Sequence, residues 1–163
     1  MAEIAEDLAG ATAKLFNSPL ETGLRAVFIL EAVYPLTIDL SRLTWLDHLV
    51  VHTGDINGPQ SLHVPVPGRN GELLVRRRLI EESLTLMRRL HLVEAVAEAS
   101  GVAYRASDEA PALIMLMRSK YSTELKKRAE WLVTHIDIDH PAMMAKLINP
   151  SINRWFVEFL DDV

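Results

Sequence analysis

The 163-residue chain is 49% hydrophobic and 24% charged, the balance of one globular domain that folds without a metal or a disulfide. It has no cysteine, which excludes disulfides, thiolate metal sites, iron–sulfur clusters and cysteine nucleophiles, and suits a reducing compartment. A net charge of −5 argues against a dedicated non-specific nucleic-acid binder.

Residues 1–15 read as a lead-in, with Glu3, Glu6 and Asp7 where a signal peptide would be basic. Ser18-Pro19-Leu20-Glu21 opens a first helix: Ser18 can cap the Glu21 amide, Glu21 can reach back to the cap amide, and Pro19 sits where no N–H is needed. Leu20, Leu24, Val27 and Phe28 form its stripe, widened by Ala26, Ile29, Leu30 and Val33 into the pattern of a buried helix ending at Pro35. Asp39 caps a second helix, Leu40 to about His52, with Leu43, Leu46, Leu49 and Val50 inward and Ser41, Thr44, His48 and His52 on its polar side.

Gly54 to Asn70 holds three prolines and three glycines, so it reads as a long irregular loop. A loop of that length in a compact domain usually carries function, and Leu62, Val64 and Val66 imply that it packs on the surface. Gly54 and Gly58 are expected to supply φ > 0, while Pro59, Pro65 and Pro67 lower the entropy of ordering.

Asn70 caps a third helix, Gly71 to about Leu90, with Leu73, Ile80, Leu84 and Met87 as its core stripe and Leu79, Leu86 and Leu90 beside it. Two extended runs around Ser100-Gly101 predict a hairpin. Ser107-Asp108-Glu109 opens a fourth helix, and a fifth runs from about Lys120 to Ile136 on Tyr121, Leu125, Leu132 and Ile136. A last helical stretch begins at Pro141, breaks at Asn149-Pro150 and resumes through Trp155, Phe156 and Phe159, aromatics able to close the core or to dock on a partner or a second copy. Three helices followed by a hairpin give a mainly α fold: a winged helix-turn-helix core over 16–107 with a C-terminal helical extension, 108–163, packed on it. The longest apolar run, Pro111 to Met117, is too short to span a bilayer, and the expectation is a cytoplasmic protein.

The chemistry-bearing residues form few constellations. Arg76, Arg77 and Arg78, with Arg88 and Arg89, lie on the helix that enters the major groove in a winged helix. Glu81 and Glu82 offer the i,i+4 pairs Arg77–Glu81 and Arg78–Glu82, and Glu94 and Glu98 on the hairpin would repel phosphate, so a structural or protein-partner role outweighs DNA contact. His48 and His52 stand at a metal-binding spacing with Asp47, Asp55 and His63 nearby, yet Leu49-Val50-Val51 between them excludes a His-Glu-x-x-His motif, and no metal is expected. No nucleophile elbow, P-loop or dinucleotide fingerprint is present, so no catalytic residue and no cofactor is expected.

Three blocks carry a family resemblance: Phe16 to Ala26 (FNSPLETGLRA), Trp45 to Asp55 (WLDHLVVHTGD), and Gly58 to His63 (GPQSLH) continuing to Arg69-Asn70-Gly71-Glu72 and onward to Arg77. Through them the chain resembles the middle components, second class, of bacterial ABC-three-component systems. The resemblance implies a non-catalytic bridging subunit between an ABC or SMC-like ATPase and a variable effector, in defence against phage and plasmids. The family's loop motif falls on His52, Gly54, Asp55, Gly58, Pro59, Ser61, Leu62, His63, Arg69 and Glu72. Of these, His52, Asp55, Ser61, His63, Arg69 and Glu72 are the candidate partner-binding residues, and Arg76, Arg77 and Arg78 a candidate contact for nucleic acid or a partner. The alternative reading is a winged-helix DNA-binding transcriptional regulator. DNA contact within the complex and a homodimer both remain compatible with the sequence.

Overall fold

The computed structural model describes residues 18–64 and 72–140, with 72–74 described by backbone alone. The expected lead-in, the proposed cap Asn70, the expected helix start at Gly71, Leu73 as a core residue and the tail from Pro141 lie outside that description. Among the described residues, five α-helices and a small antiparallel sheet follow in the order α1 (Pro19–Val33), β1 (Ile38–Asp39), α2 (Leu40–Val51), a 3-10 turn (Thr53–Ile56), α3 (Glu72–Arg89), β2 (Val93–Glu98), β3 (Gly101–Ala106), α4 (Ala110–Leu116) and α5 (Lys120–His135).

Local chemistry sets most boundaries. Ser18 Oγ accepts from the Glu21 amide at 3.2 Å and starts α1, but Glu21 does not return the bond: its Oε2 is buried with no hydrogen-bond partner. Asp39 Oδ1 accepts from the Arg42 amide at 2.8 Å and starts α2; Ser119 does the same for α5 through Ser122 at 3.0 Å. At the end of α3, His91 takes a left-handed conformation (φ 60°) while the Leu92 amide returns to the Met87 carbonyl at 3.0 Å.

The hairpin falls where the Ser-Gly turn placed it. β1 was not foreseen: two residues are too short for an alternation signal. It pairs with β3 at Ile38↔Tyr104 and Asp39↔Ala103, so the sheet order is β1-β3-β2.

α1 is the central helix, packed on α2, α3, α4 and α5. Its residues from Arg25 to Leu30 are all buried, whereas Leu20, counted in its stripe, is 51% exposed in the first turn. Leu90 is likewise on the surface, and Tyr121 is at the edge of the core rather than inside it. Ile80, Leu84 and Met87 of α3 and Leu125, Ala129 and Leu132 of α5 join one apolar cluster with α1 and α2. Each of the Leu, Ile and Met side chains among them contributes roughly 1.5–3 kcal/mol on burial. Among the described residues no helix is long and apolar enough to cross a membrane.

Candidate partner-docking site

The polar side expected on α2 is not a solvent face. Thr44, Asp47, His48 and His52 are buried with the leucines, because α1, α3 and α5 all pack on α2. Thr44 donates to the Leu40 carbonyl of its own helix at 2.7 Å, and the charge of Asp47 is matched by two arginines. Asp47, fully buried, accepts from Arg25 of α1 through Nε at 2.9 Å and Nη2 at 3.3 Å, and from Arg76 Nη1 of α3 at 2.5 Å. Arg25 also donates to Thr22 Oγ1 at 3.2 Å. Burial pushes the Asp47 carboxyl up, but the two guanidiniums outweigh it and hold its pKa at about 2.

From this ion triad a row of rings runs toward the surface. His48 and His52 lie 4.6 Å apart by ring centroids, and His63 meets His52 edge-on at 6.2 Å. His63 Nε2 is 2.8 Å from the Tyr121 hydroxyl of α5. Arg25 hydrogen-bonds the same phenol, and since a guanidinium only donates, the Tyr121 O–H is free to be given to an unprotonated His63 Nε2. Burial, then the positive charge of Arg25, lowers the His63 pKa to about 4, so the ring is neutral at pH 7. Among the described residues no group of three His, Cys, Asp or Glu side chains is arranged to hold a metal ion.

The first half of the loop is built on this network. The Leu62 and His63 amides both donate to the Val51 carbonyl, at 3.0 and 3.1 Å; Thr53 Oγ1 donates to the Pro59 carbonyl at 2.7 Å; the Gly54 amide donates to Ser61 Oγ at 3.0 Å. Arg128 of α5 reaches the Gln60 carbonyl at 3.1 Å. The glycines serve a different purpose from the one expected. The residue with positive φ here is Asn57 (59°), whereas Gly54 and Gly58 are required for space. A Cβ on Gly54 would lie 2.8 Å from Ser61 Oγ, and one on Gly58 would lie 2.5 Å from Trp131 and 2.9 Å from the Thr53 carbonyl.

The sequence-predicted residues therefore separate. His52 is buried beneath the loop; Asp55, Ser61 and His63 are half-buried within it; Glu72 opens α3; Arg69 lies outside the described residues. The three arginines diverge as well. Arg76 is buried on Asp47, Arg77 donates to Ser41 Oγ of α2 at 2.8 Å, and Arg78 is exposed in the expected i,i+4 pair with Glu82 at 3.5 Å. A cleft of about 620 Å³ beside Arg77 is lined by groups already matched to each other, Arg42 with Asp39 and Thr37 with Glu98. Sequence reasoning missed Arg25, Asp47 and Tyr121 as the centre of the site. The available signal was Arg25 set directly before the apolar run Ala26 to Leu30 of a helix that reads as buried.

A family model for the ABC-three component (ABC-3C) system Middle Component 2 matches residues 15–158, which include every described element. No curated protein and no solved structure matches the chain. With nearly its whole length under that model, the chain belongs to the Middle Component 2 family of ABC-three component systems.

Proposed function

We propose that the chain is a non-catalytic bridging subunit that joins an ABC or SMC-like ATPase component to an effector component of a bacterial defence system, working in the cytoplasm. The observation that carries this reading is the segment His52–Val64, fastened to α2 and α5 through its own backbone and presenting Asn57, Gln60 and Val64 outward. A surface ordered before binding avoids the entropy of ordering it in the complex. Beneath it Asp47 is matched by Arg25 and Arg76, an arrangement that suits a structural support better than a reaction centre. Co-expression of the chain with its system's ATPase and effector is expected to yield one assembly in which the two fail to associate once the chain is omitted. Separate elution of all three at low salt would reject the reading.

The rival, a winged-helix DNA-binding regulator, draws support from three helices followed by a hairpin, in the order α1-β1-α2-α3-β2-β3, an order compatible with a winged helix. The charges weigh against it. Arg78, Arg88 and Arg89 are exposed on α3 beside Glu81 and Glu82, and the hairpin adds Glu94 and Glu98. Duplex binding by the chain alone, weakening with salt at a log–log slope of about −0.9 per phosphate contacted, would favour the regulator; a flat titration removes it.

A further inference from the structure

A bridge needs two surfaces that do not overlap, and α5 turns two faces in opposite directions. Tyr121, Arg128 and Trp131 face the loop. Lys126 and Glu130 lie roughly half a turn round the helix. There, with Phe28 and Glu31 of α1 and Ile114 and Met115 of α4, they line a cleft of about 320 Å³.

The surface beside this cleft is apolar over a whole helical turn. Pro111, Ala112, Met115 and Leu116 of α4 are all exposed, Met115 by 74% and Leu116 by 75%. Single exposed apolar residues are ordinary, but a contiguous set beside a cleft marks an interaction surface. Flexible Met and Leu side chains can mould to a partner helix. The rim is unbalanced in charge: Glu31 and Glu130 face one ammonium, Lys126. Burial raises the Glu31 pKa against the pull of Lys126, so this carboxylate would gain from a further cation.

We propose that the groove of α1, α4 and α5 is a second docking surface for an amphipathic helix of a partner component. Its apolar stripe would lie on Met115 and Leu116, and a lysine or arginine would point at Glu31 and Glu130. The inference rests on the bridging reading and specifies it: the component held here is not the one held by the 52–64 segment.

The test uses the full chain co-expressed with the ATPase and effector of its system. Met115→Glu with Leu116→Glu is expected to lower recovery of one component more than tenfold and leave the other unchanged. Gln60→Glu with Val64→Glu is expected to do the converse. All four positions are exposed, and unchanged thermal midpoints confirm folding. Glu31→Lys with Glu130→Lys is expected to weaken the same component as the α4 pair, and a photo-crosslinker at position 115 to mark an apolar, Lys/Arg-bearing segment of it. Retention of both components by the α4 variant overturns the inference alone, as does its loss of both while folded. So does a wild-type chain that dimerises by itself and becomes monomeric with the α4 substitutions, since the occupant is then a second copy. Failure of the wild-type chain to hold either component sinks the bridging reading together with it.

Discussion

Replacing Asp47 by asparagine removes a carboxylate that both Arg25 and Arg76 contact, while leaving the shape of the side chain almost unchanged. Asp47 is fully buried and the arginine side chains are 3% and 9% exposed, so water does not take over the lost charge. Stripping one partner from a buried ion pair costs about 3–5 kcal/mol, a large part of the roughly 5–15 kcal/mol that holds a domain folded. With a urea slope of about 2 kcal/mol/M, the unfolding midpoint should fall by about 1.5–2.5 M. The triple variant Arg25→Met, Asp47→Leu, Arg76→Met removes all three charges and should recover to within about 1–2 kcal/mol of the parent, because desolvation of the ions offsets most of their mutual attraction. A loss below about 1 kcal/mol in Asp47→Asn, or a triple variant no more stable than it, would refute the account of the triad.

Acid should erode stability in two stages. His63 is depressed from 6.5 to about 4, so the unfolded chain binds its proton first and stability falls as pH drops from about 6.5 to about 4. Asp47 is depressed from 3.8 to about 2; its contribution is complete above about pH 5 and disappears as pH falls through about 2, a difference of about 2 kcal/mol. Urea midpoints across pH should lose the upper stage in His63→Gln and the lower stage in Asp47→Asn, and an unchanged profile in either variant contradicts the assignment. Gly58→Ala should cost about 1–3 kcal/mol by thermal or urea unfolding, since its new methyl meets both the Trp131 ring and a backbone carbonyl; Trp131→Leu in the same chain should restore only part. Asn57→Val should cost about 1–2 kcal/mol because a β-branched residue resists φ 59°, whereas Asn57→Gly should be close to neutral.

Elements governed by neighbours in sequence were legible from the residues. Ser18, Asp39 and the Ser100-Gly101 turn act over three or four positions, and the helices and hairpin they delimit fall where the pattern put them. What depends on distant chain was hidden. The face of α2 carrying Thr44, His48 and His52 is polar by composition, and periodicity assigns such a face to solvent. It is buried because α1, α3 and α5 pack on α2, and Arg25, 22 positions before Asp47, and Arg76, 29 positions after it, supply counter-charge to the carboxylate buried with it. The same limit explains Gly58: glycine in a loop suggests a left-handed turn, and only the packing of Trp131, 73 positions on, reveals that the requirement is room. β1 was invisible for a third reason, since a two-residue strand exists through its partner β3 alone.

A core could reach equal stability with leucines in place of the triad, so the use of these charges lies in what they fix. Asp47 joins α1, α2 and α3 at one point, and Arg25 extends the connection through Tyr121 and His63 to the 52–64 segment. The segment's shape is therefore tied to the register of the three helices, while the α4 groove lies on the other side of α5 and shares none of these contacts. This separation makes an unequal prediction. At a temperature where Asp47→Asn is still folded, amide exchange should accelerate at Gly58, Leu62 and His63, whose protection depends on the segment staying seated, and change little at Leu113 and Met117 of the α4 region. Uniform acceleration would mean that the substitution lowers global stability only. Acceleration confined to α4 would show that the triad supports a different part of the molecule from the loop it underlies.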